Sequence, residues 1–135
     1  MDIVAFISNF HRKPIDFDRA YGYTCVDLFR LYCERVLQIP QPEGVEGARE
    51  FVARYNEMPT LSRFFTVERV GTTGDFAVWG ATKNNPYGHI ALVVGGIGQT
   101  AIVFEQDGFR QCPASFSFRT LENCIGFLRP RTTNN

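Results

Sequence analysis

Apolar residues in the first part of the chain recur with the spacing of amphipathic helices. The i, i+3, i+4, i+7 pattern is met by Ile3, Phe6, Ile7 and Phe10. This predicts a short helix that ends before Pro14. A second apolar face begins at Cys25 and continues to residue 36, until the prolines of segment 39–42 stop it. The pattern of segment 47–56 predicts a third helix.

Beyond Pro59 the pattern changes from helical periodicity to short strand-like runs. These runs are rich in β-branched and aromatic residues and are bounded by turn residues, as strands are. They comprise residues 63–70, 75–79, 89–96, 100–106, 115–120 and 123–128. Helices followed by a series of strands predict an α+β domain, with N-terminal helices packed on a C-terminal antiparallel sheet.

Length and charge limit the possible partners. A chain of 135 residues, 44% of them hydrophobic, can bury a core without disulfides, and we expect one domain at 1–130 and a tail or linker start at 131–135. Fourteen basic and fourteen acidic side chains cancel, so neither nucleic acid nor an anionic membrane is indicated as a partner. The N-terminus lacks the basic and apolar regions of a signal peptide, which predicts synthesis in a cytoplasm.

The cysteines raise the first question of chemistry. Cys25, Cys33, Cys112 and Cys124 are widely spaced without a CxxC pair, and the two histidines lie far apart, so reduced thiols are favoured over a zinc site. Cys25 would occupy the first turn of the second helix, where the helix dipole and unpaired N–H groups favour a thiolate and can receive an oxyanion. The alternative is a small apolar side chain that packs the helix start.

His89 and two acidic residues supply the other parts of a possible catalytic set. His89 opens the predicted strand 89–96, and Glu105 and Asp107 alternate onto one face at the end of the next strand. If these strands are neighbours, a carboxylate near the imidazole would fix its tautomer and support its charged form. Cys25, His89 and an acid then have the roles of nucleophile, general base and orienting group. A structural histidine is the alternative.

Four segments together resemble a known family. YGYTCVDLFRLYC, GDFAVWG, GHIALVV and VFEQDG, in this order and spacing, are similar to the CHAP domains, the cysteine- and histidine-dependent amidohydrolases and peptidases of bacteriophage endolysins and bacterial cell-wall hydrolases. The resemblance covers nearly the whole chain and implies a papain-like fold. It implies that Cys25 is the nucleophile, His89 the base and Glu105 the orienting acid. Asp107 stands where many relatives have asparagine, and would support His89 or fill a fourth catalytic position.

The resemblance also implies a reaction. CHAP domains hydrolyse peptidoglycan amides through an acyl-enzyme, either as endopeptidases or as N-acetylmuramoyl-L-alanine amidases. We expect an endopeptidase, because an open groove suits an extended peptide, with the amidase as the alternative. Thr24 stands where many members have glutamine or asparagine, which leaves the Cys25 backbone N–H as the oxyanion donor. The rival classes are a cysteine hydrolase of the NlpC type, whose nucleophile has a DCSG context, and a non-catalytic, calcium-stabilised wall-associated module.

The acidic residues ahead of Cys25 have the spacing of a calcium loop. Asp16, Asp18, Ala20, Gly22 and Asp27 occupy positions 1, 3, 5, 7 and 12 when counting starts at Asp16. Carboxylates and backbone carbonyls are hard oxygen ligands that suit calcium. The loop lacks the position-6 glycine, the final glutamate and the entering helix of an EF-hand, but some phage CHAP endolysins hold calcium in this pattern. The alternative is a pair of turn-forming acids and a first-turn helix acid.

The remaining candidates concern the substrate and its location. Tyr21, Tyr23, Trp79 and Tyr87 are possible groove residues, although each is also suited to packing. The resemblance implies bacterial peptidoglycan as the partner, no organic cofactor, and a monomer or a part of a larger lysin. A lysin without a signal peptide would be made in the host cytoplasm and would reach the cell wall after release.

Overall fold

The N-terminal part of the molecule is helical, as the sequence pattern predicts. The computed structural model describes residues 1–18, 24–108 and 110–132. Helix α1 spans Ile3–Phe10 and buries Phe6. It begins at Asp2, whose carboxylate accepts a hydrogen bond of 2.8 Å from the backbone N–H of Ala5, so the first turn has the capping acid that helix starts require.

Helix α2 spans Cys25–Tyr32 and starts with a capping box. The Thr24 hydroxyl accepts from the Asp27 backbone N–H at 3.4 Å, and the Asp27 carboxylate accepts from the Thr24 N–H at 2.9 Å. The chain continues as a π-helical turn, Cys33–Leu37, and ends at Gln38, which has a left-handed backbone with φ of 54°. The capping box therefore fixes Thr24 as the N-cap and Cys25 as the first residue of this helix.

Three short helical segments follow before the sheet. They are α3, Glu50–Ala53, a 3₁₀ turn, Tyr55–Glu57, and α4, Pro59–Phe64. The first two lie within or beside the predicted third helix. Within the described ranges, no helix is both long and apolar enough to cross a bilayer.

The predicted strand at 63–70 is wrong at its start. Residues 63 and 64 belong to α4, and the strand begins at Phe65. Pro59 occupies the first turn of α4, where its missing N–H is not needed and its fixed φ suits a helix. The Glu43 carboxylate then accepts hydrogen bonds of 2.7 and 3.0 Å from two N–H groups of that turn. Because Glu43 is distant in sequence, the apolar pattern of segment 63–70 gave no sign of this cap.

The C-terminal part forms an antiparallel sheet, which confirms the predicted α+β architecture. Its strands are β1 Phe65–Glu68, β2 Phe76–Trp79, β3 His89–Ile97, β4 Thr100–Asp107, β5 Cys112–Thr120 and β6 Cys124–Pro130. In the described residues these six strands have the order β1-β6-β2-β3-β4-β5. The central hairpin of β3 and β4 lies against α2, so it determines what the start of α2 can contact.

The two faces of the sheet bury different clusters because strand side chains alternate. The face toward the helices carries the main core, whose largest fully buried rings are Phe6, Phe29, Phe51, Phe65, Phe76 and Phe104. The other face carries a smaller cluster that includes Trp79, Ala91, Val103 and Phe127. His89 has the same strand parity as Ala91 and therefore belongs to this second face.

Candidate active site

Cys25 is the first residue of α2 and lines an open cleft. The cleft has a volume of about 950 Å³ and is bounded by the start of α2, the loop 44–48, the loop 85–88 ahead of β3 and the end of β4. His89 lines the same cleft. Cys25 is a free, half-buried thiol, whereas the free thiol of Cys33 is fully buried.

His89 and Glu105 form a buried, hydrogen-bonded pair. The pairing of Leu92 with Phe104 brings the start of β3 beside the end of β4, so that both side chains extend from the second face of the sheet. The imidazole Nε2 lies 2.8 Å from the carboxylate Oε1, and the two residues are only 8% and 5% exposed. With Nε2 bonded to Glu105, Nδ1 is the ring nitrogen left to interact with Cys25, which lines the same cleft.

The contacts of His89 determine its charge. Burial by itself lowers the pKa of the imidazole, but hydrogen bonds to Cys25 and Glu105 and the charges of both outweigh burial and raise this pKa to about 9. Burial raises the pKa of Glu105, whereas the bonds and charges of His89 and Arg119 lower it to about 2. At neutral pH the pair is therefore an imidazolium beside a carboxylate.

Gly88 provides the backbone conformation that joins the loop 85–88 to His89 at the start of β3. Its φ of 77° lies in the left-handed region that favours glycine, and a Cβ atom here would come within 2.4 Å of the Trp79 carbonyl oxygen. The Gly88 carbonyl accepts a hydrogen bond of 2.9 Å from the Asn85 side chain. The turn-rich segment before His89 is thus a specific connection that sets where β3 begins.

Arg119 and Trp79 surround the buried pair. Arg119, on β5, donates from Nε to the same Oε1 atom of Glu105 that contacts His89. The Trp79 ring centre lies 5.7 Å from the His89 ring and 5.8 Å from the Arg119 guanidinium carbon, and its indole N–H donates to the Thr120 carbonyl at 3.0 Å. Trp79 is therefore a buried wall of this cluster, and it does not line the cleft that holds Cys25.

Gln106 connects β4 to the residue that precedes the thiol. Its side chain is fully buried, and its Nε2 donates to the carbonyls of Ile15 and Thr24, each at 2.8 Å. Its Oε1 accepts from the Ile15 N–H at 2.5 Å. Adjacent residues of one strand thus serve opposite faces: Glu105 contacts His89, and Gln106 holds Thr24 next to Cys25.

The other predicted site residues have more peripheral positions. Asp107 lines the cleft, and its carboxylate accepts from the Arg110 N–H at 3.2 Å. A register shift between β4 and β5 falls between Glu105 and Asp107. Tyr87 lines the cleft and is about half exposed. The predicted groove residues Tyr21 and Tyr23 lie outside the described residues.

The three acidic residues of the predicted calcium loop converge. One carboxylate oxygen from each of Asp16, Asp18 and Asp27 lies within 4.8 Å of the other two. Burial raises the pKa of Asp27, as do the charges of Asp18 and Asp16, while hydrogen bonds from Thr24 lower it. The other two predicted ligands, Ala20 and Gly22, lie outside the described residues. The acids present form the hard-oxygen set that suits calcium.

Sequence reasoning missed Gln106 and Arg119. Both lie in predicted strands, and their side chains alternate as strand side chains do, but neither residue type stands out in a strand pattern. The only local signal for Gln106 is a polar residue with the parity of Phe104, on the core face of a buried strand. Such a residue needs hydrogen-bond partners in the interior, and only the folded structure shows which ones.

Comparisons with known proteins identify the fold. No family model and no curated protein matches the chain. Among solved structures, the wild-type endolysin LysIME-EF1 superposes with a TM-score of 0.66 and 19% identity, over 94% of this chain and 62% of that one. Ly7917 gives a TM-score of 0.58 at 18% identity, over 79% of this chain and 53% of that one.

A second Ly7917 structure is described as holding the hydrolysis product of MDP, and it superposes with a TM-score of 0.59 over the same shares of the two chains. The chain therefore has the fold of part of these proteins and spans between about half and two thirds of their length.

Proposed function

We propose that the chain is a cysteine-dependent hydrolase of amide bonds in bacterial peptidoglycan, acting as an endopeptidase. One observation carries the proposal: Cys25 lies in the wall of an open cleft together with His89, and His89 is hydrogen-bonded to Glu105. The nucleophile, the proton carrier and the orienting acid are thus available in the order that acyl transfer requires. The fold shared with an endolysin supports peptidoglycan as the substrate.

The proposed reaction begins with the Cys25 thiolate and the His89 imidazolium. Sulfur attacks the carbonyl carbon of the amide, and the carbonyl electrons move onto oxygen. The imidazolium then donates its proton to the departing nitrogen as the C–N bond breaks, which leaves a thioester. Neutral His89 next takes a proton from water, and the resulting hydroxide attacks the thioester. The C–S bond breaks, the acid is released and the Cys25 thiolate is restored beside the imidazolium.

The developing oxyanion needs donors at the start of α2. The Thr24 hydroxyl already serves the capping box, where it contacts the backbone N–H and the carboxylate of Asp27. The Cys25 backbone N–H, in the first helical turn, is the donor that remains suited to the oxyanion. This agrees with the expectation that Thr24 does not replace the side-chain amide found in many CHAP domains.

The amidase reaction is the second candidate, and one observation favours it. Ly7917 is described with the hydrolysis product of MDP, a muramyl dipeptide. One of the amide bonds in that compound joins the sugar's lactyl group to the first alanine, and an N-acetylmuramoyl-L-alanine amidase cleaves this bond. The endopeptidase remains the first candidate because an open cleft suits an extended peptide.

We also propose that Asp16, Asp18 and Asp27 hold a calcium ion. Their converging carboxylates support this, and Ala20 and Gly22 would add backbone carbonyls. The hydrogen bonds from Thr24 use Oδ2 of Asp27, so Oδ1 is the oxygen suited to the ion. Bound calcium would offset two of the three negative charges beside the start of α2, where uncompensated negative charge opposes a thiolate.

Replacement of Cys25 tests the hydrolase proposal. Cys25→Ala should abolish the loss of turbidity of a bacterial cell-wall suspension, because no other group can form the thioester. Cys112→Ala is the matched control, since Cys112 is an exposed thiol on β5, and it should clear the suspension at the wild-type rate. Equal clearing by Cys25→Ala and wild type would refute the nucleophile, and no clearing by wild type would refute the hydrolase.

Mass analysis of the released fragments separates the two candidate reactions. An endopeptidase leaves the stem peptide attached to the sugar and produces new amino and carboxyl ends within the peptides. An amidase releases the whole stem peptide and leaves a free lactyl carboxylate on the sugar. Intact stem peptides among the products would therefore replace the first candidate with the second.

A further inference from the structure

Arg119 contacts the catalytic series without lining the cleft. Its Nε–H donates to Oε1 of Glu105, the oxygen that also lies 2.8 Å from Nε2 of His89. Its guanidinium packs over Trp79, with the carbon atom 5.8 Å from the ring centre. Among the described residues that bound the cleft, Arg119 is absent. Contact with a substrate in that cleft therefore does not explain its position.

The Glu105 carboxylate needs more than one donor to keep its orientation. The terminal torsion of a glutamate side chain is broad and two-fold, so a single bond from His89 would leave the carboxylate free to turn. A second, charged donor on the same oxygen restricts that rotation. Trp79 in turn restricts Arg119, because its ring supports the guanidinium and its indole N–H is held by the Thr120 carbonyl.

We propose that Arg119 is a positioning residue that keeps the Glu105 carboxylate ionised and directed at His89, and so keeps the imidazole beside Cys25. The catalytic meaning of this inference rests on the proposed hydrolase function. The effect of Arg119 on Glu105, His89 and Cys25 can be tested without a substrate.

The charged groups around Glu105 predict how its pKa changes when Arg119 is replaced. His89 faces it from β3, Arg119 from β5 and Asp107 from further along β4, while Cys25 of α2 contacts the imidazole. Asp107 is itself paired with Arg110, on the loop after β4. Loss of Arg119 removes a donor and a cation, so the pKa of Glu105 should rise from about 2 toward its ordinary 4.5. Glu105 would then protonate at mildly acidic pH, and His89 would lose its partner there.

Alkylation of Cys25 by iodoacetamide measures this effect directly. Modification is followed by mass spectrometry at Cys25 between pH 3.5 and 8, in the wild type and in Arg119→Met, which has a similar length but no charge. We expect the acidic limb of the variant's rate profile to move up by about half a pH unit, a threefold lower rate on that limb. Arg119→Lys should recover part of the shift, because it restores the charge with a single donor group.

Arg129 provides the matched control. It forms a two-point ion pair with buried Asp75, at 2.9 and 3.1 Å, and its side chain is 37% exposed against 33% for Arg119. Arg129→Met therefore removes a similar ion pair elsewhere in the sheet and should leave the alkylation profile unchanged.

The outcomes separate this inference from the proposed function. A wild-type profile in folded Arg119→Met, or an equal shift in Arg129→Met, would overturn the positioning role. If Arg119→Met does not fold by circular dichroism, Arg119→Lys decides: a smaller shift of the acidic limb supports the role, and an unchanged limb contradicts it. If the wild type fails to clear cell walls while the limb shifts as expected, the hydrolase proposal fails and the positioning role stands.

Discussion

His89 is buried beside Glu105, and its partners, more than its residue type, determine its charge. A histidine in an apolar interior is ordinarily neutral, because burial disfavours the imidazolium. Here the interactions of the imidazole with Cys25 and Glu105 reverse that tendency. The contacts that favour the imidazolium form of His89 therefore also contribute to the stability of the fold.

Stability should depend on pH through this pair. Because the folded pKa of His89 is raised from 6.5 to about 9, its contribution is complete below pH 6.5 and is lost as pH rises through 9. Glu105, with a folded pKa lowered from 4.5 to about 2, contributes fully above pH 4.5 and loses this as pH falls through 2. We expect the free energy of unfolding to be greatest between these limits, at pH 4.5–6.5.

Urea denaturation at pH 6 and pH 9.5 measures how much of the free energy of unfolding is lost when His89 deprotonates. The wild type should lose on the order of 3 kcal/mol more than His89→Gln between these two values. Cys25→Ala should lose less than the wild type, because Cys25 contributes to the raised pKa of His89. An identical loss in wild type and His89→Gln would show that the imidazole is not held as an imidazolium.

Among the elements, β4 links the two halves of the site. Its alternation sends Glu105 to the face with His89 and Gln106 to the face with the helices. Gln106 bonds to Ile15 and Thr24, which flank the acidic segment 16–23, so one side chain holds both ends of that segment. The relative position of α2 and β3 therefore depends on two consecutive residues of one strand.

Replacement of Gln106 should weaken the fold and the site together. Gln106→Met keeps the approximate length of the side chain but leaves buried groups of Ile15 and Thr24 without partners. Unsatisfied buried groups each cost about 1–3 kcal/mol, so we expect a loss of about 2–4 kcal/mol in urea denaturation. Gln99→Met, at an exposed turn, should change stability by less than about 0.5 kcal/mol. Unchanged stability in Gln106→Met would contradict the link.

At the scale of the whole molecule, the acidic cluster couples the N-terminal loop to α2. Asp16 and Asp18 belong to the segment before α2, and Asp27 lies in its first turn. Burial raises the pKa of Asp27, and the charges of Asp18 and Asp16 raise it further. Without a cation, the repulsion between these acids favours separation of the two segments. A calcium ion bound by all three carboxylates would reduce that repulsion and link the two segments.

Calcium should therefore stabilise the folded chain. At a free concentration 100 times its Kd, an ion that binds only the folded state adds about 2.7 kcal/mol. We expect EDTA to lower the melting temperature and the rate of wall hydrolysis, and added calcium to restore both. Asp18→Asn should remove the response, whereas Asp2→Asn, which keeps a helix-capping side chain outside the cluster, should retain it. No effect of EDTA on either measurement would remove calcium from the proposal.

The sequence by itself determined the elements and the principal candidates. Local periodicity is sufficient for α1, α2 and the strands other than the start of β1, because each element buries one face and the spacing of its apolar residues indicates that face. Cys25 was recognisable at a helix start and His89 at a strand start. The resemblance to CHAP domains then gave each of them a role.

Tertiary structure alone decided how these elements are held together. Gln106 reaches residues 82 and 91 positions away, Glu43 caps a helix from 17 positions away, and Arg119 meets Glu105 across a strand pair. Local periodicity does not indicate such contacts. The side chains of a strand alternate with the same period whether or not an inward polar side chain has a hydrogen-bond partner. The partners exist only once the chain has folded, since strand register and helix docking bring distant residues together.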